Sequence, residues 1–154
     1  MRITYRLTAT VLISVVSAVL TLSAPRPAAA GPTCYQSSCN GQDPSRYSCS
    51  ADTISSFYYN GSSPDLRGAL IELRRSRSCD AAWARVTNGS CRPMWIPCGF
   101  VLEVSRGTTQ YGANPTPGAQ VWTTMWSFRN YVRACFVVDF VGDSYRRDGC
   151  TGWH

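Results

Sequence analysis

The sequence contains no lysine and a single histidine, His154. Nucleophilic catalysis needs a base beside the nucleophile, so these absences remove the Ser-His-Asp, Cys-His and Ser-Lys arrangements. A hydrolase would have to use carboxylates alone, as a glycosidase does, with Glu72 and Glu103, or either of them with Asp139. No spacing selects such a pair, and we expect Glu72 to form an ion pair with Arg74 or with an arginine on a neighbouring strand. We therefore predict that the protein is not an enzyme.

Metal-ligand spacings are also scarce. No Cys-x2-Cys pair occurs, and His154 adds no ligand to the cysteine cluster near the N-terminus, so zinc is not expected. Asp139, Asp143 and Asp148 lie near two glycines, but their spacing fits no calcium-binding loop and favours a solvated hairpin turn. We predict no metal and no cofactor.

The sequence contains a single long apolar run. Residues 1–30 begin with two arginines, continue with an apolar run at 8–24 that hydroxyl side chains interrupt, and end in three alanines before Gly31. This run is shorter than the ~20 residues of a membrane span and is typical of a secretory signal peptide. We predict that residues 31–154 form one exported domain without a membrane anchor.

The charge left after removal of the signal peptide is small. Arginine supplies all 15 basic residues, and 12 of them remain against nine acidic residues, which gives a net charge of about +3. Nucleic-acid binding is not expected from so small an excess.

Cysteine is abundant. The chain has eight cysteines, all after the predicted cleavage site: Cys34, Cys39, Cys49, Cys79, Cys91, Cys98, Cys135 and Cys150. An even number in an exported chain predicts four disulfides, for which 105 connectivities are possible. Only Cys91 and Cys98, which flank two prolines, have a spacing that fits one locally closed loop. The cysteines predict a rigid scaffold.

Period-two patterns dominate the rest of the chain, and no helical period of useful length or internal repeat occurs. Strands are predicted at residues 53–59, 69–74, 83–87, 100–105, 121–127 and 131–140. The expected fold is all-β, a small antiparallel β-barrel or sandwich of about five to six strands, stapled by disulfides.

Several motifs resemble one protein family. They are Cys39-Asn40-Gly41-Gln42-Asp43-Pro44, Cys49 followed by Asp52, and the continuous segment at residues 72–85. These motifs resemble the secreted Gram-positive proteins grouped as domain of unknown function 2690, and Arg133-Ala134-Cys135 and Cys150-Thr151 are similar to the C-terminal end of that pattern. The resemblance implies a compact secreted β domain with no established chemistry, and it supplies no catalytic residue.

Two candidate binding surfaces remain. Trp122 and Trp126 are predicted to share one exposed strand face, where they would stack on sugars or on a partner. Arg74, Arg75 and Arg77 are predicted to lie in a basic turn held by the cysteine at position 79, an arrangement that suits carboxylate or phosphate recognition.

These surfaces suggest three functions. We expect a secreted binding module, an adaptor, inhibitor or effector subunit that docks another exported protein. The alternative is a carbohydrate or cell-wall binder that uses the tryptophans, and the least favoured function is a carboxylate hydrolase.

Overall fold

The structure is a computed structural model that describes residues 33–61, 63–91, 98–106, 109–141 and 144–154, with the backbone alone described at 139–141. The predicted signal peptide lies outside these residues, as do the side chains of Asp139 and Asp143 that were considered for calcium. Within the described ranges, no helix has the length and apolar character needed to cross a membrane.

Nine antiparallel strands, counted over the described residues, form two sheets. The strands are β1 (Asp52–Tyr58), β2 (Leu70–Ser76), β3 (Ala81–Thr87), β4 (Cys98–Val104), β5 (Gln110–Tyr111), β6 (Gln120–Trp122), β7 (Trp126–Ser127), β8 (Val132–Val141) and β9 (Ser144–Cys150). The first sheet has the order β1-β2-β3-β6, with β7 also paired to β3, and the second has the order β5-β4-β8-β9. The two sheets meet at one edge through an isolated antiparallel bridge between Gly112, which follows β5, and Thr123, which follows β6. No described strand of one sheet is paired with a strand of the other, so the fold is a sandwich rather than a closed barrel.

The predicted all-β class is confirmed. Five of the six predicted strands are present as β1, β2, β3, β4 and β8. The predicted strand at 121–127 is divided into two short strands, β6 and β7, and the two-residue β5 was not predicted. The sequence did not predict β9, because Ser144–Cys150 contains mostly polar residues and shows no apolar alternation. This strand forms because it pairs with β8 along most of its length.

The core lies between the two sheets, and alternation on the long strands builds it. Ile71 and Leu73 on β2 face the interior, whereas Glu72 between them faces outward. On the second sheet, Phe100 and Phe136 lie directly opposite each other on β4 and β8 and are both buried in the same interior cluster. Alternate residues of each long strand therefore point out of the sandwich, where functional side chains are available.

Four disulfides account for all eight cysteines. They join Cys34 to Cys39, Cys49 to Cys79, Cys91 to Cys98 and Cys135 to Cys150. The predicted local bridge between Cys91 and Cys98 is confirmed. The second bridge has the largest structural consequence, because it attaches the N-terminal segment to the turn between β2 and β3.

Candidate functional site

An N-terminal segment, residues 34–49, covers part of the outer face of the first sheet. It contains two short 3-10 helices, Gln36–Cys39 and Pro44–Arg46, and its cysteines pack with Ala81, Trp83 and Met125 in a cluster separate from the main core. The backbone of Met125 donates to the Gln42 carbonyl at 2.8 Å and accepts from the Gly41 N–H at 3.0 Å. The segment is therefore fixed to the sheet by backbone pairing as well as by sulfur.

The four sulfurs of this segment and its anchor are close together. Cys34, Cys39, Cys49 and Cys79 have ligand atoms within 4.8 Å of one another, the one grouping of metal-ligand type among the described residues. All four sulfurs are held in disulfides, whereas zinc binding requires thiolates. The cluster in this state is a covalent anchor.

Asp43 connects the segment to a strand of the sheet. Its carboxylate accepts the indole N–H of Trp122 at 3.0 Å and the backbone N–H of Ser45 at 2.9 Å. Burial by itself would raise the pKa of Asp43, but these hydrogen bonds and the nearby Arg46 lower it below the ordinary value. Asp43 is therefore an ionised acceptor that fixes the orientation of the Trp122 ring.

Trp122 and Trp126 do not share a strand face, so that prediction is wrong. Trp122 lies opposite Arg85, whereas Trp126 lies opposite Ala82, and these two positions on β3 point to opposite faces of the sheet. One extra residue between β6 and β7 shifts the register and reverses the direction of the side chains that follow. Trp122 packs beside the N-terminal segment and Trp126 against the main core, and both are half-buried.

The three arginines of the predicted basic turn are separated too. The strand β2 continues through Ser76, so Arg74 and Arg75 are neighbours on a strand and point to opposite faces. Arg74 lies on the outer face, whereas the guanidinium of Arg75 stacks over Phe128 at 4.0 Å. Only Arg77 lies in the turn, where it is exposed. The prediction of one basic surface is therefore wrong.

Glu72 forms the ion pairs expected of it. Its carboxylate accepts Arg85 Nε at 2.7 Å, lies 3.8 Å from Arg74 Nη1 and accepts the Thr53 hydroxyl at 2.6 Å. Burial by itself would raise the pKa of Glu72, but the hydrogen bonds and the two positive charges lower it overall. Glu103 faces outward from the second sheet, so the two carboxylates are separated by the whole sandwich and do not form a glycosidase pair.

Two clefts meet at Trp122. The larger, of about 420 Å³, lies at the β6 edge of the first sheet, and its lining includes Asp43, Gln120, Trp122, Thr124 and Tyr111 of β5 in the second sheet. The smaller, of about 180 Å³, lies on the outer face of the first sheet and shares Gln120 and Trp122 with the larger one. The two clefts are here called the Trp122 groove, with the Trp122 ring between them and polar groups along their walls.

The sequence predicted two residues of this groove as binding residues, Trp122 and Arg74, and both line the smaller cleft. It missed Arg85, Asp43 and Gln120. The tight turn after β2 offered a signal for Arg85, because a hairpin folded there places position 85 opposite Glu72. Strand alternation offered a signal for Gln120, because it lies two residues before Trp122 on β6 and shares its face. No local signal identifies Asp43, which reaches Trp122 from a distant part of the chain.

These features define a disulfide-stapled antiparallel β-sandwich with a groove on one outer face. The family model described as protein of unknown function (DUF2690) matches residues 37–134, and the chain belongs to this family. The resemblance of the cysteine motifs to that family is confirmed. No curated protein and no solved structure matches the chain.

Proposed function

We propose that the protein is an exported, non-enzymatic binding module and that the Trp122 groove holds a segment of a carbohydrate chain. The observation that carries this proposal is the larger cleft, whose volume of about 420 Å³ lies within the range of about 300–1,000 Å³ typical of ligand sites. Its lining combines the rings of Trp122 and Tyr111 with the polar groups of Asp43, Gln120 and Thr124. A sugar has C–H faces that stack on aromatic rings and a rim of hydroxyl groups that form hydrogen bonds, so it matches both kinds of wall.

The groove is pre-organised for binding. Trp122 is held by Asp43, and the segment that carries Asp43 is attached to the sheet through Cys49 and Cys79. Fixing a binding surface before the ligand arrives lowers the ordering cost of association. Rigid walls of this kind suit a binder that recognises its ligand without transforming it.

Export is supported by the N-terminal sequence pattern and the disulfides. Residues 1–30 have the basic, apolar and small-residue regions of a secretory signal, and all eight cysteines are paired. Disulfides persist in oxidising compartments, which agrees with a role outside the cell. The bacterial cell wall is then an accessible source of glycan.

The non-enzymatic role is supported by how the outward carboxylates are used. Glu72 and Glu103 are each held by two arginines, and each has a lowered pKa. A general acid needs a raised pKa so that it is protonated at working pH. Both carboxylates are thus suited to structural ion pairing and not to proton transfer.

The test compares two tryptophans on opposite faces of one sheet. Trp122→Phe removes the hydrogen bond to Asp43 and reduces the ring at the centre of the groove, and we expect at least a tenfold loss of affinity, about 1.4 kcal/mol. Trp126→Phe is the matched control, because Trp126 Nε1 is buried and has no hydrogen-bond partner among the described residues. The mature protein is tested by co-sedimentation with purified cell wall and by calorimetry against neutral and acidic tetrasaccharides. Equal loss in both variants, or no binding to any of these ligands, would contradict the proposal.

A protein partner is the second candidate, as an adaptor, inhibitor or effector subunit. Exposed aromatic side chains favour it, since Tyr58 is 69% exposed and Tyr131 is 67% exposed. A pull-down from culture supernatant tests this candidate. A stoichiometric exported partner that is lost on Tyr58→Ser or Tyr131→Ser but retained by Trp122→Phe would favour protein docking over glycan binding.

A further inference from the structure

Arg85 and Trp83 line the smaller cleft of the Trp122 groove, next to the cleft proposed to hold sugar. Gln120 and Trp122 lie between the two clefts and line both, so a ligand chain that passes over the Trp122 ring from the larger cleft reaches the smaller one. The side chain of Arg85 therefore determines which groups of the ligand chain can bind in the smaller cleft.

Two arginines stand at the wall of the smaller cleft, and they differ in how their donors are used. Arg74 and Arg85 share the carboxylate of Glu72. Arg74 is also held by hydrogen bonds to the Thr53 hydroxyl and the Ala51 carbonyl, and the nearby carboxylate of Asp52 attracts its charge as well. The donors of Arg74 are therefore used within the protein.

Arg85, by contrast, keeps donors that face the cleft. Its Nε donates to Glu72 Oε2 at 2.7 Å, whereas its Nη atoms form no hydrogen bond with any residue that the structure describes. The side chain is 25% exposed and lines the cleft. The Nη atoms of a guanidinium form a planar pair of donors whose spacing matches the two oxygens of a carboxylate.

We propose that the Trp122 groove binds an acidic glycan, with a sugar ring against Trp122 and a carboxylate of the adjacent sugar on the Nη atoms of Arg85. This inference rests on the proposed function, because it requires a sugar in the larger cleft. The planar Nη pair of one guanidinium matches the two oxygens of a carboxylate and balances its single negative charge, whereas a phosphate monoester carries up to two. The ligand class is therefore a chain that contains uronic acids or other carboxylated sugars.

The experiment uses a pair of ligands that differ only in charge. Calorimetry measures binding of the mature protein to tetragalacturonate and to its full methyl ester, in which every carboxylate is neutral. We expect the acid to bind about tenfold more tightly than the ester, the effect of one charge-assisted pair of hydrogen bonds. Added salt is expected to reduce this ratio, because it screens the attraction between charges.

Variants of the two paired residues have opposite expected effects. The double variant Arg85→Gln with Glu72→Gln removes the Nη donors without leaving a buried carboxylate unpaired, and the acid-to-ester ratio is expected to fall below the wild-type value although Arg74 keeps its charge. Glu72→Gln alone removes the carboxylate that Arg74 and Arg85 share and keeps the Nη donors, and the ratio is expected to rise. If the ion pair between Glu72 and Arg85 were only structural, the acid-to-ester ratio would change in the same direction in both variants. Thermal unfolding confirms that each variant is folded at the assay temperature.

Arg147→Gln is the matched control. It removes one positive charge from the outer face of the second sheet, where Arg147 pairs with Glu103, and so changes the net charge without touching the groove. The ratio is expected to stay at the wild-type value. An equal fall in this variant would attribute the preference to net charge and overturn the proposal.

The remaining outcomes distinguish a failure of the acidic preference from a failure of the glycan-binding function on which it rests. Equal binding of acid and ester, both weakened by Trp122→Phe, overturns the acidic preference and retains the glycan-binding function. Tighter binding of poly-glutamate or of a phosphorylated sugar than of tetragalacturonate overturns the inference in favour of another ligand class. Absence of binding to tetragalacturonate, to its ester and to cell wall overturns both proposals.

Discussion

The two outer faces of the sandwich use the same ionic arrangement but differ in what surrounds it. On the first sheet, Glu72 is paired with Arg74 and Arg85. On the second sheet, Glu103 is paired with Arg133 and Arg147. Glu72 on β2 and Glu103 on β4 each point outward, while the residues before and after them on the strand face the core. Arginines on the outer face neutralise each carboxylate.

The difference lies in the covering layer. Each carboxylate also accepts a hydroxyl, Glu72 from Thr53 at 2.6 Å and Glu103 from Tyr145 at 2.8 Å. The cleft beside the ion pairs of the second face, of about 290 Å³, lies between the two clefts of the first face in volume. The first face has the N-terminal segment as an added wall, which brings Asp43 to Trp122. The ion pairs thus occur on both faces, and the added wall distinguishes the face on which we propose the binding site.

The largest effect is expected from opening the disulfide that attaches the N-terminal segment to the first sheet. Cys49→Ser with Cys79→Ser opens a bridge of sequence separation 30, and we expect the free energy of unfolding to fall by about 3 kcal/mol and glycan binding to be lost. Cys135→Ser with Cys150→Ser opens a bridge of separation 15 on the second sheet, with a similar loss of about 3 kcal/mol but retained binding. Denaturant unfolding and calorimetry measure both quantities. If the second pair abolished binding as completely as the first, the role of the N-terminal segment as a wall would be refuted.

The next largest effect is the loss of stability expected when either carboxylate is replaced by an amide. Glu103→Gln is expected to lower the free energy of unfolding by about 2 kcal/mol at pH 7 and Glu72→Gln by about 1 kcal/mol. Glu103 is the more costly because its side chain is 5% exposed, against 10% for Glu72. Urea unfolding of both variants beside the wild type gives the difference, and a larger loss in Glu72→Gln would contradict the comparison.

The same variants change the response to acid. Burial raises the pKa of Glu103, but hydrogen bonds from Tyr145, Arg133 and Arg147 lower it overall. A lowered pKa in the folded state stabilises the protein above the unfolded value of about 4.3, and this contribution is lost as the pH falls through the folded pKa. The wild type should therefore lose stability from about pH 4.3 downward, and Glu103→Gln should show a shallower loss in urea unfolding across this range.

The smallest effect is expected from the aromatic cover of the second face. Trp153→Ala removes the ring that stacks on the Arg133 guanidinium, and the expected cost is about 0.5–1 kcal/mol because the ring is partly exposed. Binding in the Trp122 groove should not change, since Trp153 lies on the opposite face. Altered affinity in this variant, measured by the same calorimetry, would show that the two faces are coupled.

Local sequence patterns predicted the parts of the fold that depend on alternation. The strands β2, β4 and β8 were predicted from apolar residues at every second position, and that pattern placed Ile71 and Phe136 in the core. Glu72 was predicted to pair with an arginine of the same or a neighbouring strand, and both pairs form. Period-two patterns are informative here because each of these strands has one face on a single shared core.

The same patterns failed where strand register or contacts with distant residues determine the position of a side chain or the existence of a strand. The face of Trp126 depends on one extra residue after β6, which no propensity at that position indicates. The strand β9 is polar and forms through its pairing with β8, so it has no apolar signature. Arg75 was assigned to a turn because no apolar residue follows it nearby, yet β2 continues past it.

The sequence by itself determined the class of this protein, because cysteine number, alternation and turn residues are local properties that survive without knowledge of pairing. It determined an all-β scaffold with oxidised cysteines and a membership in one family. The tertiary structure alone decided the site. Asp43, Arg85 and Trp122 come from three separate parts of the chain, and only strand register and the bridge between Cys49 and Cys79 bring them to one groove.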